Sequence, residues 1–325
     1  MTSTTISTSG KRFAFDLDVA IPFLATIAII LVGAIFEPRF LNPVYLLQQL
    51  QVASFLGVLA LGATVVILLG HIDLSVPWIL GGAAIISTAM VGTDSTVLTA
   101  FAIPAALCFG VLIGIVNGVG VAIFRIPSMV WTLAVNSMLL GVAVLNTGGF
   151  SPRGIASPLM INMATGSTLG IPSGFLIWMG LALILGLFFT RTSFGRYLSS
   201  IGYNEKATFL SGVSTPTVVF AAFMIAGACS ALGGVLLAGY ANQAYQSMGD
   251  PFLLPTIAAV VIGGTSILGG KGSLTGTIGG VLFITILTSM LSVFQISEAW
   301  RNIIFGAIII VMLLFQTLRR KGTRA

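Results

Sequence analysis

Long apolar runs separated by short polar breaks dominate the chain. A spanning helix needs ~20 mostly apolar residues. Ten stretches approach or meet that length: 19–36, 45–69, 76–91, 96–124, 128–146, 173–190, 216–240, 255–268, 273–294 and 300–318. The third and eighth are short and adjoin Gly-rich breaks, so both are expected to be partly irregular. Irregular backbone is tolerated at membrane depth only where protein or a water-filled cavity satisfies it. The pattern predicts an all-α, polytopic membrane helix bundle of about ten transmembrane helices. Residues 1–18 form a Ser/Thr-rich tail expected to be disordered, 19–318 a single transmembrane domain, and 319–325 a basic tail. A signal peptide is the alternative for the first run, but 19–36 exceeds the ~7–15 residues of an h-region.

The polar breaks orient the bundle. With the N-terminus inside, Lys11, Arg12, Arg125, Arg191, Arg196, Lys206, Lys271, Arg319, Arg320, Lys321 and Arg324 fall on the cytoplasmic side. Only Arg39, Arg153 and Arg301 fall outside. That asymmetry follows the positive-inside rule and places both termini in the cytoplasm. If the third and eighth segments were re-entrant, Arg125, Arg191, Arg196 and Lys206 would move outside.

Composition agrees. The 325 residues are 57% hydrophobic and 7% charged, with a net charge of +6. Soluble domains carry roughly 25% charged residues. The positive charge clusters at span ends, as in inner-leaflet anchors, and does not signal nucleic-acid binding. Cys108 and Cys229 lie inside apolar runs, where packing is their expected role.

The longest polar segment on the expected inner side is 191–216, RTSFGRYLSSIGYNEKATFLSGVSTP. It holds a short helix with readable ends. Asn204 caps its start and Glu205 sits where the helix dipole favours an anion. Ala207, Phe209 and Leu210 form a small apolar face. Gly212 suits a left-handed stop, and Pro216 prevents continuation. Such a helix either docks to a cytoplasmic partner or simply connects two spans.

Several chemistries are excluded or poorly supplied. His71 is the single histidine, so no His-based metal cluster exists. No carboxylate pair falls at mid-membrane, and Asp73 is the acid closest to the interior. Ion-driven transporters bury ionisable groups for their relays. The Gly-rich turn GGTSILGGKGS (263–273) fails as a phosphate loop, having Thr265 where Gly is needed and Gly272 where Ser or Thr is needed. Asp73, in GHIDLS (70–75), either serves a gate or partner contact or caps the next helix. Gln48 and Gln51 (i, i+3), Thr132 and Asn136 (i, i+4), Asn117, and Trp131 beside Thr132 either line a weakly polar path for a sugar or hydrogen-bond between helices.

From the second span onward the motifs resemble one family, the integral-membrane permease of ribose-type sugar ABC importers. GHIDLSV (70–76) is similar to the family's Gly-Gly-Ile-Asp-Leu-Ser-Val. NGVGVAIFRIPSMVWTL (117–133), GRYLSSIGYNEKATFLSGV (195–213) and IAAVVIGGTSILGGKGSLTGTIGG (257–280) resemble three further signatures. The chain departs from the pattern at His71, Pro77, Leu253 and Pro255. The resemblance implies a non-catalytic subunit of a bacterial inner-membrane importer, importing a ribose-like pentose or related hexose. It implies a second permease chain, a cytoplasmic ABC ATPase that binds ATP and Mg, and a periplasmic sugar-binding protein; no cofactor is implied in this chain. Asn204, Glu205, Lys206, Ala207, Ser211 and Gly212 become the expected ATPase-coupling residues. Arg39, Arg153 and Arg301 are expected to dock the binding protein. The competing functions are a stand-alone secondary sugar transporter and a small-solute channel.

Overall fold

The computed structural model describes residues 17–93, 95–148 and 154–322. Of the tail expected to be disordered over 1–18, residues 1–16 lie outside them, as do Arg153 and the last three residues, whereas Leu17 and Asp18 already belong to the first helix. Thirteen α-helices follow in order. They are α1 (Leu17–Phe36), α2 (Pro43–Leu68), α3 (Val76–Val91), α4 (Thr96–Gly118), α5 (Ser128–Thr147), α6 (Pro158–Thr165), α7 (Ser173–Arg191), α8 (Ser193–Tyr203), α9 (Glu205–Leu210), α10 (Thr215–Ala241), α11 (Leu253–Ile262), α12 (Leu274–Val293) and α13 (Glu298–Gly322). A π-helical stretch, Val119–Ile123, extends α4, and a 3-10 turn, Asp250–Phe252, leads into α11. A two-residue β pair joins Ser167–Thr168 to Ile171–Pro172.

Among the described residues, seven helices are long and apolar enough to cross a bilayer: α1, α2, α4 with its π-helical extension, α5, α7, α10 and α12. The chain is therefore an all-α, multi-pass bundle. α3 and α11 are apolar but shorter. α3 spans the predicted 76–91. α11 stops at Ile262, earlier than the expected 268, because Gly263 and Gly264 follow and Gly264 takes a left-handed φ of +85°.

Helices α2 and α10 form the axis of the molecule. Both are apolar on every side, and every residue of α2 from Ala53 to Leu68 is buried. A helix apolar all round must be surrounded by protein or lipid, and α2 is surrounded by protein. α10 crosses α4 at very short range. A Cβ on Gly110 would stand 2.3 Å from the Gly227 carbonyl oxygen, and one on Gly227 would stand 2.1 Å from the Gly110 oxygen. Small residues at such crossings let backbones touch where the hydrophobic effect cannot drive association.

Contacts sort the connections onto two ends. At one end, Phe36 meets Phe294 at 5.6 Å, and Gly154 abuts the Thr88 carbonyl. The Ala156 N–H donates to the Asn242 carbonyl at that same end. At the other, basic end, Arg125 meets Glu205, and the Gly270 N–H donates to the Leu68 carbonyl.

Two helices were not anticipated. α6 begins at Ser157, whose Oγ accepts the Met160 N–H at 3.2 Å, with Pro158 in its first turn. α8 is amphipathic, burying Leu198 and Ile201.

Candidate functional site

The bundle is interrupted beside α2. Gly70 turns the chain with φ +82°, and residues 71–75 run without helix or strand before α3 begins. Most of this backbone is buried, so its N–H groups need partners from elsewhere. The N–H of Ile72 donates to Ser128 Oγ at 3.2 Å, and that of Leu74 to Thr132 Oγ1 at 2.9 Å. Asp73 Oδ1 accepts the Ser75 N–H at 2.9 Å and the Ser75 hydroxyl at 2.5 Å. Asn117 Nδ2 donates to Ser75 Oγ at 2.8 Å. Side chains from α4 and α5 thus pin an extended segment in place. Asp73, only 6% exposed, closes a local turn onto Ser75 and does not cap α3, and its Oδ2 has no hydrogen-bond partner among the described residues.

The polar residues expected to form one path separate into two groups. Asp73, Asn117 and Thr132 converge on this interruption. Asn136 follows one turn along α5, with Oδ1 buried and unpartnered among the described residues. Trp131 Nε1 donates to the Val116 carbonyl at 3.1 Å, with its ring lying against Gly120. Gln51 stands apart, donating to the Ala164 carbonyl of α6 at 2.9 Å, and Gln48 is exposed.

A second interruption follows α10. Asn242, at φ +59°, ends the helix, and Ala244 and Met248 of the next segment are buried. Its approach to the first break is close: a Cβ on Gly249 would lie 2.0 Å from the Pro77 carbonyl oxygen. Asp73 faces Leu253 and Thr256 across a small gap. The starts of α3 and α11 therefore meet inside the bundle. Paired interrupted helices at corresponding places mark binding sites in many transporters.

A cavity of about 310 Å³ opens beside α11, between Gln49, Val52 and Leu56 of α2 and Thr285, Thr288, Ser289 and Ser292 of α12. An adjoining cavity shares Pro251, Pro255 and Thr288 and reaches Glu298, Arg301 and Asn302. The α12 residues were not singled out from the sequence, although Thr285, Thr288, Ser289 and Ser292 follow the i, i+3, i+4, i+7 spacing of one helix face.

At the basic end, α9 has the predicted caps. Asn204 Oδ1 accepts the Ala207 N–H at 3.0 Å, and Gly212 takes φ +84°. Lys206, Ala207, Phe209, Leu210, Ser211 and Gly212 are exposed, Leu210 at 85%. Glu205 is tied back to the bundle instead: Oε1 accepts from Arg125 at 2.6 Å and from Thr215 Oγ1 at 3.2 Å. The preceding helix, α8, touches the bundle through bare backbone. A Cβ on Gly202 would lie 2.0 Å from the Leu68 carbonyl oxygen and 2.3 Å from the Gly270 nitrogen. Residues 263–273, whose only charge is Lys271, thus meet α8 and the end of α2 at one point.

Arg39 and Arg301 share the opposite end. Arg39 lies 3.8 Å from Glu37 and 6.0 Å from the Tyr45 ring centroid. Arg301 Nε donates to the Ile296 carbonyl at 3.0 Å.

Comparison with known proteins agrees with this architecture. The profile of the family described as branched-chain amino acid transport system, permease component, matches residues 45–313. The chain is 33% identical over 298 residues to the ribose import permease protein of Haemophilus influenzae, covering 90% of this chain and 91% of that one. It is 32% identical to the ribose import permease protein of Bacillus subtilis, over 95% and 96% of the two chains. It is 31% identical to the autoinducer 2 import system permease protein of Salmonella typhimurium, over 91% and 84%. No solved structure gives a significant match. A multi-pass bundle with two facing interruptions, matched by one family profile along most of its length, belongs to the permease component family of branched-chain amino acid transport systems.

Proposed function

We propose that the chain is the membrane-spanning subunit of an ATP-driven importer for a monosaccharide, such as a ribose-like pentose or a related hexose. Two permease chains pair in a bacterial inner membrane, each crossing ten times with both termini in the cytoplasm. A cytoplasmic ABC ATPase binds ATP and Mg and docks on α9, and a periplasmic binding protein delivers the sugar near Arg39, Arg153 and Arg301. The basic end is then the cytoplasmic one.

One observation carries this reading. α9 presents Phe209 and Leu210 to the outside at 57% and 85% exposure, while α8 is joined to the end of α2 through Gly202. An exposed apolar pair on a capped helix suits a protein partner. The tight backbone contact behind it passes any displacement to the interruption at 70–75. The relatives named as ribose import permeases support the substrate class.

A stand-alone secondary transporter has one observation in its favour, the buried Asp73 with its unpartnered Oδ2. Its other oxygen, however, is committed to Ser75. Affinity purification of the full chain from its native membranes separates the readings. Recovery together with an ABC ATPase, lost in a Phe209→Ser/Leu210→Ser variant that still inserts, is the expected result. Recovery of the chain alone, with sugar flux intact, would refute the importer reading.

A further inference from the structure

The cavity between α2, α11 and α12 lies outside every residue that the sequence had pointed to as pathway. We propose that it is the transit site for the solute, and that its lining admits an uncharged sugar and turns away a zwitterion. The proposal rests on the importer reading above and names the site at which its substrate is selected.

The cavity's volume, about 310 Å³, sits at the low end of the ~300–1,000 Å³ common for small-molecule sites. One wall is a band of hydroxyls. Thr288 Oγ1 donates to the Ile284 carbonyl at 2.7 Å, and Ser292 Oγ donates to the Thr288 carbonyl at 2.8 Å. Their protons are therefore used within α12, and their lone pairs remain free to accept from a solute. Thr285 and, across the cavity, the Gln49 amide make no side-chain hydrogen bond among the described residues. Gln49 supplies both donors and an acceptor. Phe252 and Pro255 form an apolar wall against which the C–H face of a sugar ring packs.

The same lining selects against an amino acid. Among the described residues, no ionisable side chain lines this cavity. A zwitterion entering it would lose the hydration of two charges without finding a partner for either. A polyol loses only hydrogen bonds, which the hydroxyl band and Gln49 replace. Of the two neighbouring cavities, the adjoining one carries the charge, with Glu298 and Arg301 in the same lining as Thr288.

Cysteine accessibility tests this in the full chain, assembled with its ATPase in membrane vesicles. On a Cys108→Ala background, Thr288→Cys, Ser292→Cys and the outward-facing control Leu183→Cys are treated with a charged, water-soluble methanethiosulfonate. Buried Cys229 serves as the unreactive background. We expect Thr288→Cys to react at least tenfold faster than Leu183→Cys. We also expect millimolar D-ribose, D-xylose, D-glucose or D-galactose to slow it at least threefold while L-leucine does not. Reaction no faster than the control would show a lipid-filled groove and overturn the site. Protection by L-leucine, or by none of the four sugars, would overturn the selectivity assigned to the cavity. Each of these failures leaves ATP-driven uptake by the wild-type complex untouched. Absence of that uptake beside a reactive, sugar-protected Thr288→Cys would instead sink the importer reading alone.

Discussion

Residues 70–75 make most of their hydrogen bonds with the helices around them, whereas residues 242–252 make most of theirs among themselves. In the first interruption Ser128, Thr132 and Asn117 reach in from α4 and α5 to hold the backbone and Ser75. In the second, the Met248 N–H donates to the Tyr245 carbonyl, Asp250 to Ser247 and Phe252 to Gly249. Ser247 also holds a positive φ of +61°. A segment tied to several helices moves only when those helices move. A segment closed by its own turns can rearrange alone. The first interruption is thus built as a rigid joint attached to the basic end, and the second as an adjustable wall beside the cavity.

The largest expected effect comes from cutting the ties of the joint. Thr132→Val leaves the part-buried Leu74 N–H without its acceptor, and Asp73→Ala does the same to the buried Ser75 N–H. Each should cost about 1–3 kcal/mol of stability, read as a fall in the unfolding temperature of the detergent-solubilised protein. Because Asp73 and Asn117 share Ser75, Asp73→Ala and Asn117→Ala should combine less than additively. Full additivity would mean that the network does not act as one unit.

Next is the contact between the two interruptions. Gly249→Ala forces a Cβ against the Pro77 carbonyl at 2.0 Å. Overpacking of this kind costs typically about 1–3 kcal/mol unless the backbone shifts. If the second segment is adjustable, the observed loss should fall near the lower figure while sugar uptake changes strongly. A loss of stability with uptake unchanged would remove this segment from the pathway.

A smaller effect is expected at the basic end. The Arg125–Glu205 pair is solvent-exposed on both sides, so its stability contribution is about 1 kcal/mol or less. Its importance is positional, since it ties α9 to the start of α5. Arg125→Glu should weaken ATPase stimulation by sugar with little change in unfolding temperature. Arg125→Glu/Glu205→Arg should restore part of it, and no recovery in the swapped variant would argue against a direct link.

The smallest is Ser247→Gly. Relief of a left-handed serine should stabilise by about 1 kcal/mol or less. A loss of stability instead would show that the Ser247 side chain makes a tie of its own.

Most of the bundle was legible in the sequence because apolar length is a strong signal. The predicted 76–91, 128–146 and 173–190 agree with α3, α5 and α7 to within a residue. The caps of α9 were legible because Asn204 and Gly212 each have a local backbone role. α6 was hidden in a Gly/Ser-rich stretch, although Ser157 followed by Pro158 is a readable helix start. α8 was hidden because its apolar positions are separated by glycines and serines. Hydrogen bonding by Thr132 and Asn117 was one of two readings the sequence left open, but their partners were not legible. Which polar residue meets which stretch of backbone depends on how α4 and α5 pack against 70–75, and spacing along the chain carries no trace of that. The α12 hydroxyls were visible as a face, but nothing in the sequence showed that Gln49 stands across from them.

The central claim is that the chain moves a sugar only when an ATPase acts on its basic end. Proteoliposomes holding the full chain, its ATPase and its binding protein should accumulate a labelled monosaccharide, with D-ribose as the first probe, only when ATP and Mg reach the ATPase side. Accumulation should fall at least tenfold with Gly202→Val, which drives α8 from the end of α2. Equal sugar flux through liposomes holding the chain alone, without ATP, would contradict the account.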